Sequence, residues 1–359
     1  MTMNTVDLKN FNQEQLIDYV ESLDQPAFRG RQIMGWLYRP GITEFSQMTD
    51  LAKEFRRILS EHCLISRFNN PLIERSQDGS VKFGFRLEEN RIIESVLIPE
   101  PDRNTLCLSS QVGCAMNCSF CLTGTMGFQR NLTPAEIVNQ VCAVRDFLLA
   151  EPKDNLTGPN RVTNLVFMGM GEPLNNLDNL LVALSILTEH RGLDIASRRI
   201  TVSTCGIAPK LQALGKHSSV NLAISLHAAT NRVRDQLMPI NQTYPVEQLI
   251  QACREFPMPK RKRIMFEYIL LRGINDSDRD ARELARLLDS VPCKINLLPY
   301  NESPNLPYKS PDTARVLAFQ EILRQTHYSV FIRHSRGADI SAACGQLATN
   351  NKDTSSCHG

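Results

Sequence analysis

Apolar and polar residues keep two different periods along this chain, and the points where the period changes mark its parts. From Asn10 to Cys63 the apolar positions recur at helical spacing. Leu16, Ile17, Val20 and Leu23 share one helical face before Pro26 breaks it. Ile33, Trp36 and Leu37 predict a second helix that ends before Pro40-Gly41. Asp50 stands where it would cap a third, carrying Leu51, Phe55, Ile58 and Leu59. From Leu72 to Ile98 the period drops to two. Val81, Phe83, Phe85 and Leu87 alternate with Lys82, Gly84 and Arg86, Glu88-Glu89-Asn90 turns the chain, and Ile92 to Ile98 returns, which predicts a hairpin.

Beyond the hairpin, strand-like and helix-like segments take turns. Strands are expected at 106–110, 164–170, 199–204, 221–227, 263–271 and 294–300, and helices at 133–149, 177–190, 207–216, 246–256, 277–291 and 311–326. Such alternation predicts an α/β fold on a parallel sheet. Six units are too few for a closed eight-fold barrel, so a partial (β/α)6 barrel fits as well as a doubly wound sheet. Either architecture puts the working residues at the C-terminal ends of the strands. The expected division is a helical accessory domain over 1–68, a β-hairpin extension over 69–100, the α/β domain over 101–348 and a flexible polar tail over 349–359.

Composition narrows the class. The chain has 359 residues, 42% hydrophobic and 22% charged, which is a globular mixture able to bury a core without disulfide support. Forty Lys+Arg against 38 Asp+Glu leave a net charge of +2, so any basic surface must be local. Arg29, Arg31, Arg39, Lys53, Arg56 and Arg57 stud the helical start, as a solvated face or as a nucleic-acid dock. Lys260-Arg261-Lys262-Arg263 falls at a strand entrance, opposite the working rim, and reads as a solvated edge. The start lacks an apolar signal core and no apolar run approaches the ~18 residues of a membrane span, so the expectation is a cytoplasmic protein with no membrane partner. Eleven cysteines in a reducing compartment read as ligands, catalytic thiols or core filler.

Three of those cysteines decide the chemistry. Cys114, Cys118 and Cys121 sit on one loop directly after the first barrel strand. Three thiolates at this spacing can grip three corners of an iron–sulfur cube, whereas a structural zinc ion would want a fourth ligand. Cys142, the nearest further cysteine, falls in a helix that should carry it away. A zinc knuckle is the bland alternative. Polar or glycine-rich strand ends supply a rim: Gly171 and Glu172 within Met168 to Pro173, then Ser203, Ser225-Leu226-His227 and Asn301. Cys344, among small residues between Arg336-Gly337 and Gly345, is either buried filler or a thiol on a loop able to visit two partners. Cys107, seven residues before the cysteine loop, is placed to share its pocket.

The Cys-x-x-x-Cys-x-x-Cys loop, with Phe120 before its last cysteine, resembles the radical S-adenosylmethionine superfamily. That resemblance implies a [4Fe–4S] cluster on Cys114, Cys118 and Cys121, with S-adenosylmethionine on the open iron and Glu172 near its ammonium group. Pro26 to Arg29, Ser109 to Cys114, Gly127 to Leu132, Met168 to Pro173, Leu237 to Asn241 and Ala342 to Leu347 together resemble one of its families, the dual-specificity RNA adenine-C2 methyltransferases. Pro173, Phe128 and Arg336-Gly337 resemble it more than the related adenine-C8 enzymes. By that resemblance Cys344 is methylated first and its methyl carbon becomes the radical that adds to adenine C2. Glu94 then takes the C2 proton, and Cys107 attacks the Cys344 sulfur, freeing the RNA through a transient disulfide. From the residues alone Glu94 is merely an acidic position on an exposed strand. The implied substrates are an adenosine of 23S ribosomal RNA and the adenosine beside the anticodon of some transfer RNAs. The implied partner is an electron donor such as flavodoxin, and the implied state is a monomer. A radical enzyme acting on a small molecule or protein, or a non-catalytic iron–sulfur or zinc RNA-binding protein, would be the reading if that resemblance failed.

Overall fold

The computed structural model describes residues 5–152, 157–259 and 262–347. The tail expected to be flexible, 349–359, lies outside the described residues, as do Lys260 and Arg261. The helical start forms Gln13–Glu21, Phe28–Leu37 and Lys53–His62. Asn12 opens the first with a capping box, its side chain accepting from the Gln15 amide at 2.9 Å while Gln15 reaches back at 3.0 Å. Asp50 does not cap the third. That helix begins after Ala52, and the Asp50 carboxylate is taken by the Trp36 indole N–H at 2.6 Å and by Gln32 at 3.3 Å. A tertiary donor displaced the local role.

These helices do not stand apart. Leu8, Leu16, Ile33 and Met34 are fully buried in a core continuous with that of the barrel. Lys9 donates to Asn139 at 2.8 Å, and Asn10 accepts from the Ala135 amide at 3.0 Å. Both partners lie on the first barrel helix, Pro134–Ala150.

Ten strands make the main sheet. From one edge they run Val330–Ile332, Cys293–Pro299, Ile264–Leu270, Asn221–Ser225, Ile200–Thr204, Asn164–Phe167, Arg103–Cys107, Ile92–Glu100, Val81–Arg86 and Leu72–Arg75. The first seven are parallel and the last three antiparallel. Two expectations need correction. There is a seventh parallel strand, Val330–Ile332, which is too short to display a period. The extension has three strands, because Leu72–Arg75 is exposed on every residue and shows no alternation. It also continues the barrel sheet through the pairing of Ile92–Glu100 with Arg103–Cys107. No described helix is long and apolar enough to cross a membrane.

The curled sheet encloses a cavity of about 840 Å³. Strand register decides what lines it. Lys82, Val96, Cys107, Val166 and Thr201 are cross-strand neighbours in one row, and the last four line the cavity. A second row, Ser225, Glu267, Asn296 and Phe331, runs across the other half. Alternation then puts Glu94 on the same face as the cavity-lining Val96 and Ile98.

Candidate active site

The cysteine loop sits above the barrel, at the C-terminal ends of its strands. A ribbon, Gln111–Gly113 against Phe128–Asn131, forms its base. Gly113 takes a left-handed φ of 71°, and a Cβ there would meet the Gly127 carbonyl oxygen at 1.8 Å. Asn117 carries the loop through another left-handed turn, at φ 50°. Ser119 donates its amide to the Leu237 carbonyl at 3.0 Å and accepts from the Tyr308 hydroxyl at 2.7 Å. Phe120 meets the His227 ring edge-on, centroids 5.0 Å apart.

Burial pushes the Cys114 thiol up to about 11 and raises Cys118 as well. A thiol so placed stays protonated unless a cationic centre draws off the proton. Among the described residues, no three His, Cys, Asp or Glu side chains converge on a point that would hold a single ion. In a cube each thiolate binds its own iron, so the three sulfurs need not meet, and the donor set fits a [4Fe–4S] cluster.

The strand-end residues gather around the loop. Gly171 turns at φ 96° with the Gln111 side chain where a Cβ would go, at 2.5 Å. The buried Glu172 accepts the Leu174 amide at 2.9 Å and the Cys205 amide at 2.8 Å, while burial raises its pKa. Ser203 is the penultimate residue of its strand, two positions beyond the cavity-facing Thr201, and Ser225 ends its strand beside Glu267. Leu226 is fully buried, so only its backbone is available, and its carbonyl is occupied by Arg234. His227 sits at φ 60° with Nδ1 accepting from the Ile269 amide at 3.1 Å. Burial, aided by Arg234, drives its pKa down to about 3, so the ring is neutral. Asn301 donates to Ser335 at 2.6 Å and to the Cys344 carbonyl at 3.5 Å.

Cys107 and Cys344 line the same cavity. Cys107 ends the first parallel strand and is buried, which raises its pKa; Cys344 is exposed toward the cavity. Seclusion within the cavity, with Glu267 nearby, lifts the Cys344 thiol to about 11. Cys142 is buried in Pro134–Ala150. Glu94 is not exposed. It is 6% accessible, 3.6 Å from Lys82 Nζ, because the extension joins the barrel sheet instead of projecting from it.

Several residues escaped the sequence reading. Arg234 is wholly buried and donates to the carbonyls of Leu226 at 3.0 Å, Cys205 at 2.6 Å and Ser225 at 3.4 Å, and to Asn241 at 3.0 Å. It ties two strand ends together; a lone arginine on a short helix carries no signal of that. Glu267, accepting from Asn296 at 2.9 Å, is pushed up to about 7 by burial. The basic start is largely engaged internally. Arg29 packs on Phe28, Arg39 on Trp36, and Arg57 bridges Glu54 and Glu61; Arg31 and Lys53 are exposed. Lys262 and Arg263 line the cavity at the opposite, N-terminal end of their strand.

The model of the radical S-adenosylmethionine superfamily matches residues 108–285, and with it come a [4Fe–4S] cluster and S-adenosylmethionine as cofactors. The model described as the ribosomal RNA large subunit methyltransferase N-terminal domain matches residues 6–65. A dual-specificity RNA methyltransferase RlmN of Desulfotalea psychrophila is 67% identical over 345 residues, covering 96% of this chain and 95% of that protein. That of Geobacter sulfurreducens is 51% identical, over 95% and 92%. The crystal structure of a radical SAM methyltransferase from Sphaerobacter thermophilus superposes with a TM-score of 0.85 at 40% identity, over 95% of this chain and 98% of that one. With its cysteine loop, barrel and helical start all matched, the chain belongs to the RlmN family of dual-specificity RNA methyltransferases.

Proposed function

We propose that this enzyme methylates C2 of an adenosine in 23S ribosomal RNA and of the adenosine beside the anticodon in transfer RNAs. Cys344 carries the carbon, Glu94 accepts the C2 proton and Cys107 resolves the adduct. One observation carries the reading: Cys107 and Cys344, far apart in sequence, line one cavity beneath the cysteine loop, with Glu94 on the same sheet face. When bound, the cluster and S-adenosylmethionine supply a methyl group and a radical able to take hydrogen from it. Cys114, Cys118 and Cys121 would hold the cluster, and Gly171, Glu172, Ser203, Ser225, Leu226, His227 and Asn301 would cradle the cofactor.

The protein's own part is placement. The Cys344 sulfur would present the one-carbon unit at the cavity that Cys107 also lines. Glu94 lies two positions along its strand from Val96, which pairs directly with Cys107, so base and resolving thiol share one pleated face. Lys82 Nζ lies 3.6 Å from the Glu94 carboxylate and holds it on that face. Attack by the Cys107 sulfur on the Cys344 sulfur forms the disulfide and breaks the carbon–sulfur bond; the electron pair leaves with the RNA-bound carbon, which takes up the proton that the Cys107 thiol gives up and becomes the methyl group.

Residues 1–68 read as the RNA-gripping accessory domain, 69–100 as its bridge and 101–348 as the catalytic barrel. We read the enzyme as a cytoplasmic monomer served by an electron donor such as flavodoxin. The test is Cys107→Ala. It should keep its cluster and accumulate a covalent protein–RNA species that survives denaturing electrophoresis, while a double variant lacking Cys344 accumulates none. Digested product RNA should contain 2-methyladenosine. Normal multiple turnover by Cys107→Ala, or 8-methyladenosine alone, would overturn the reading.

A further inference from the structure

Cys344 hangs between two sets of anchors. On its C-terminal side they belong to the barrel top: the Gly345 carbonyl accepts from the Leu122 amide at 2.8 Å, and Gln346 donates to the Glu302 carbonyl at 3.2 Å. On its N-terminal side they belong to the extension, a different part of the molecule. The turn Ser76 to Ser80 and the segment Arg336 to Ile340 exchange carboxylates. Asp78 Oδ2 accepts from the Gly337 amide at 2.8 Å, and Oδ1 braces its own turn through the Ser80 amide at 2.9 Å. Asp339 answers in the other direction, accepting from Ser76 Oγ at 2.5 Å and from the Gln77 amide at 3.0 Å. Arg336 donates to the Asp78 carbonyl at 3.0 Å, and Lys82 donates to the Ile340 carbonyl at 2.8 Å.

The segment's backbone is shaped for this seat. Gly337 and Ser341 both take left-handed conformations, at φ 69° and 52°, and a Cβ on Gly337 would come within 2.8 Å of the Ala342 Cβ. Lys82 Nζ is shared among Ile340, Glu74 at 2.9 Å and Glu94 at 3.6 Å, so the thiol arm and the proton acceptor touch one ammonium group. Asp339 and Arg336 are exposed.

We propose that Asp78 and Asp339 form a reciprocal carboxylate clasp that seats the Cys344 arm over the barrel cavity, and that they are positioning residues for the methyl-carrying thiol. The inference rests on Cys344 as the carbon carrier. The clasp makes the extension part of the catalytic apparatus. Without it the N-terminal side of the arm keeps only the bonds from Lys82 to the Ile340 carbonyl and from Arg336 to the Asp78 carbonyl, and the cofactor is spent without delivering carbon to RNA.

The test is Asp78→Asn, which keeps the volume but must turn an amide N–H toward either the Gly337 or the Ser80 N–H, together with Asp339→Ala, which removes the acceptor for Ser76 and the Gln77 amide. Reconstituted full-length enzyme is assayed for iron and sulfide, for 5′-deoxyadenosine formed per methylated RNA, and for amide hydrogen exchange in peptides covering 76–82 and 333–347. Iron and sulfide should match the parent. Exchange at those peptides should accelerate, and deoxyadenosine per methylated RNA should rise, each by about tenfold, the size expected for one charge-assisted hydrogen bond. A merely destabilised protein would lose both products together and leave that ratio flat. A ratio within twofold of the parent overturns the proposal, whatever the exchange shows. If the parent methylates no RNA, the proposed function fails instead. The clasp is then judged on exchange alone: acceleration supports it and unchanged protection overturns it.

Discussion

At the scale of single residues, the site depends on groups whose protonation is set by burial. Cys118→Ala removes one of the three loop thiolates; Cys142 is buried in its own helix, and Cys205, which packs near Cys118, is buried on a different segment. Two thiolates do not hold a cube, so the variant should purify without the brown absorbance and with iron and sulfide near background. His227 offers a quieter test. Its folded pKa of about 3 lies below the ordinary 6.5, so the unfolded chain binds the extra proton between those values. The stability it contributes is intact above pH 6.5 and is lost as pH falls toward 3. His227→Asn keeps an acceptor for the Ile269 amide and suits the left-handed backbone. Denaturant unfolding should show the variant losing less stability than the parent across that window, by on the order of a few kcal/mol. Parallel pH curves would mean that His227 is not held neutral.

At the scale of elements, the ribbon under the cysteine loop is the point of least tolerance. Gly113→Ala adds a methyl group where the Gly127 carbonyl already sits, at a φ that side chains avoid. The ribbon must part, and it carries Cys114 with it. We expect a loss of at least about 2 kcal/mol in thermal or chemical unfolding, from strain and clash together, and poor cluster loading. Gly127→Ala, at an equally left-handed φ but with open space around it, should cost about 1 kcal/mol and still load. Equal behaviour of the two would show that the close approach is not what matters.

The helical start and the barrel form one body around a shared core. Because the helical start shares its core with the barrel, the accessory function is better probed by charge than by truncation. The exposed Arg31 and Lys53 are not committed to internal stacking as Arg29 and Arg39 are. Arg31→Glu with Lys53→Glu should weaken binding of a ribosomal RNA fragment by roughly tenfold and flatten its salt dependence. Deoxyadenosine formation without RNA should not change. Unaltered affinity would place the RNA grip elsewhere.

The alternation of periods was enough to read the parallel sheet, its helices to within two or three residues, and the cysteine loop after the first strand, because those signals are local: burial of one face imposes a period, and a three-thiolate grip imposes a spacing. It did not disclose Val330–Ile332 or Leu72–Arg75, one too short and the other too exposed to carry a period. Nor did it reveal that Glu94 is buried. That follows from the extension pairing with the barrel sheet, which turns an alternating edge strand into a cavity wall. Arg234 was equally illegible, since its acceptors are backbone carbonyls that only the fold brings together, and so was the Asp78–Asp339 exchange, whose segments lie 259 residues apart at the Asp78–Gly337 bond. The sequence by itself determined the elements and the cluster-binding loop. Only the tertiary structure decided which thiols share a cavity, which carboxylate is buried beside a lysine, and what holds the Cys344 arm, because those depend on strand register and on contacts between segments that no local pattern encodes.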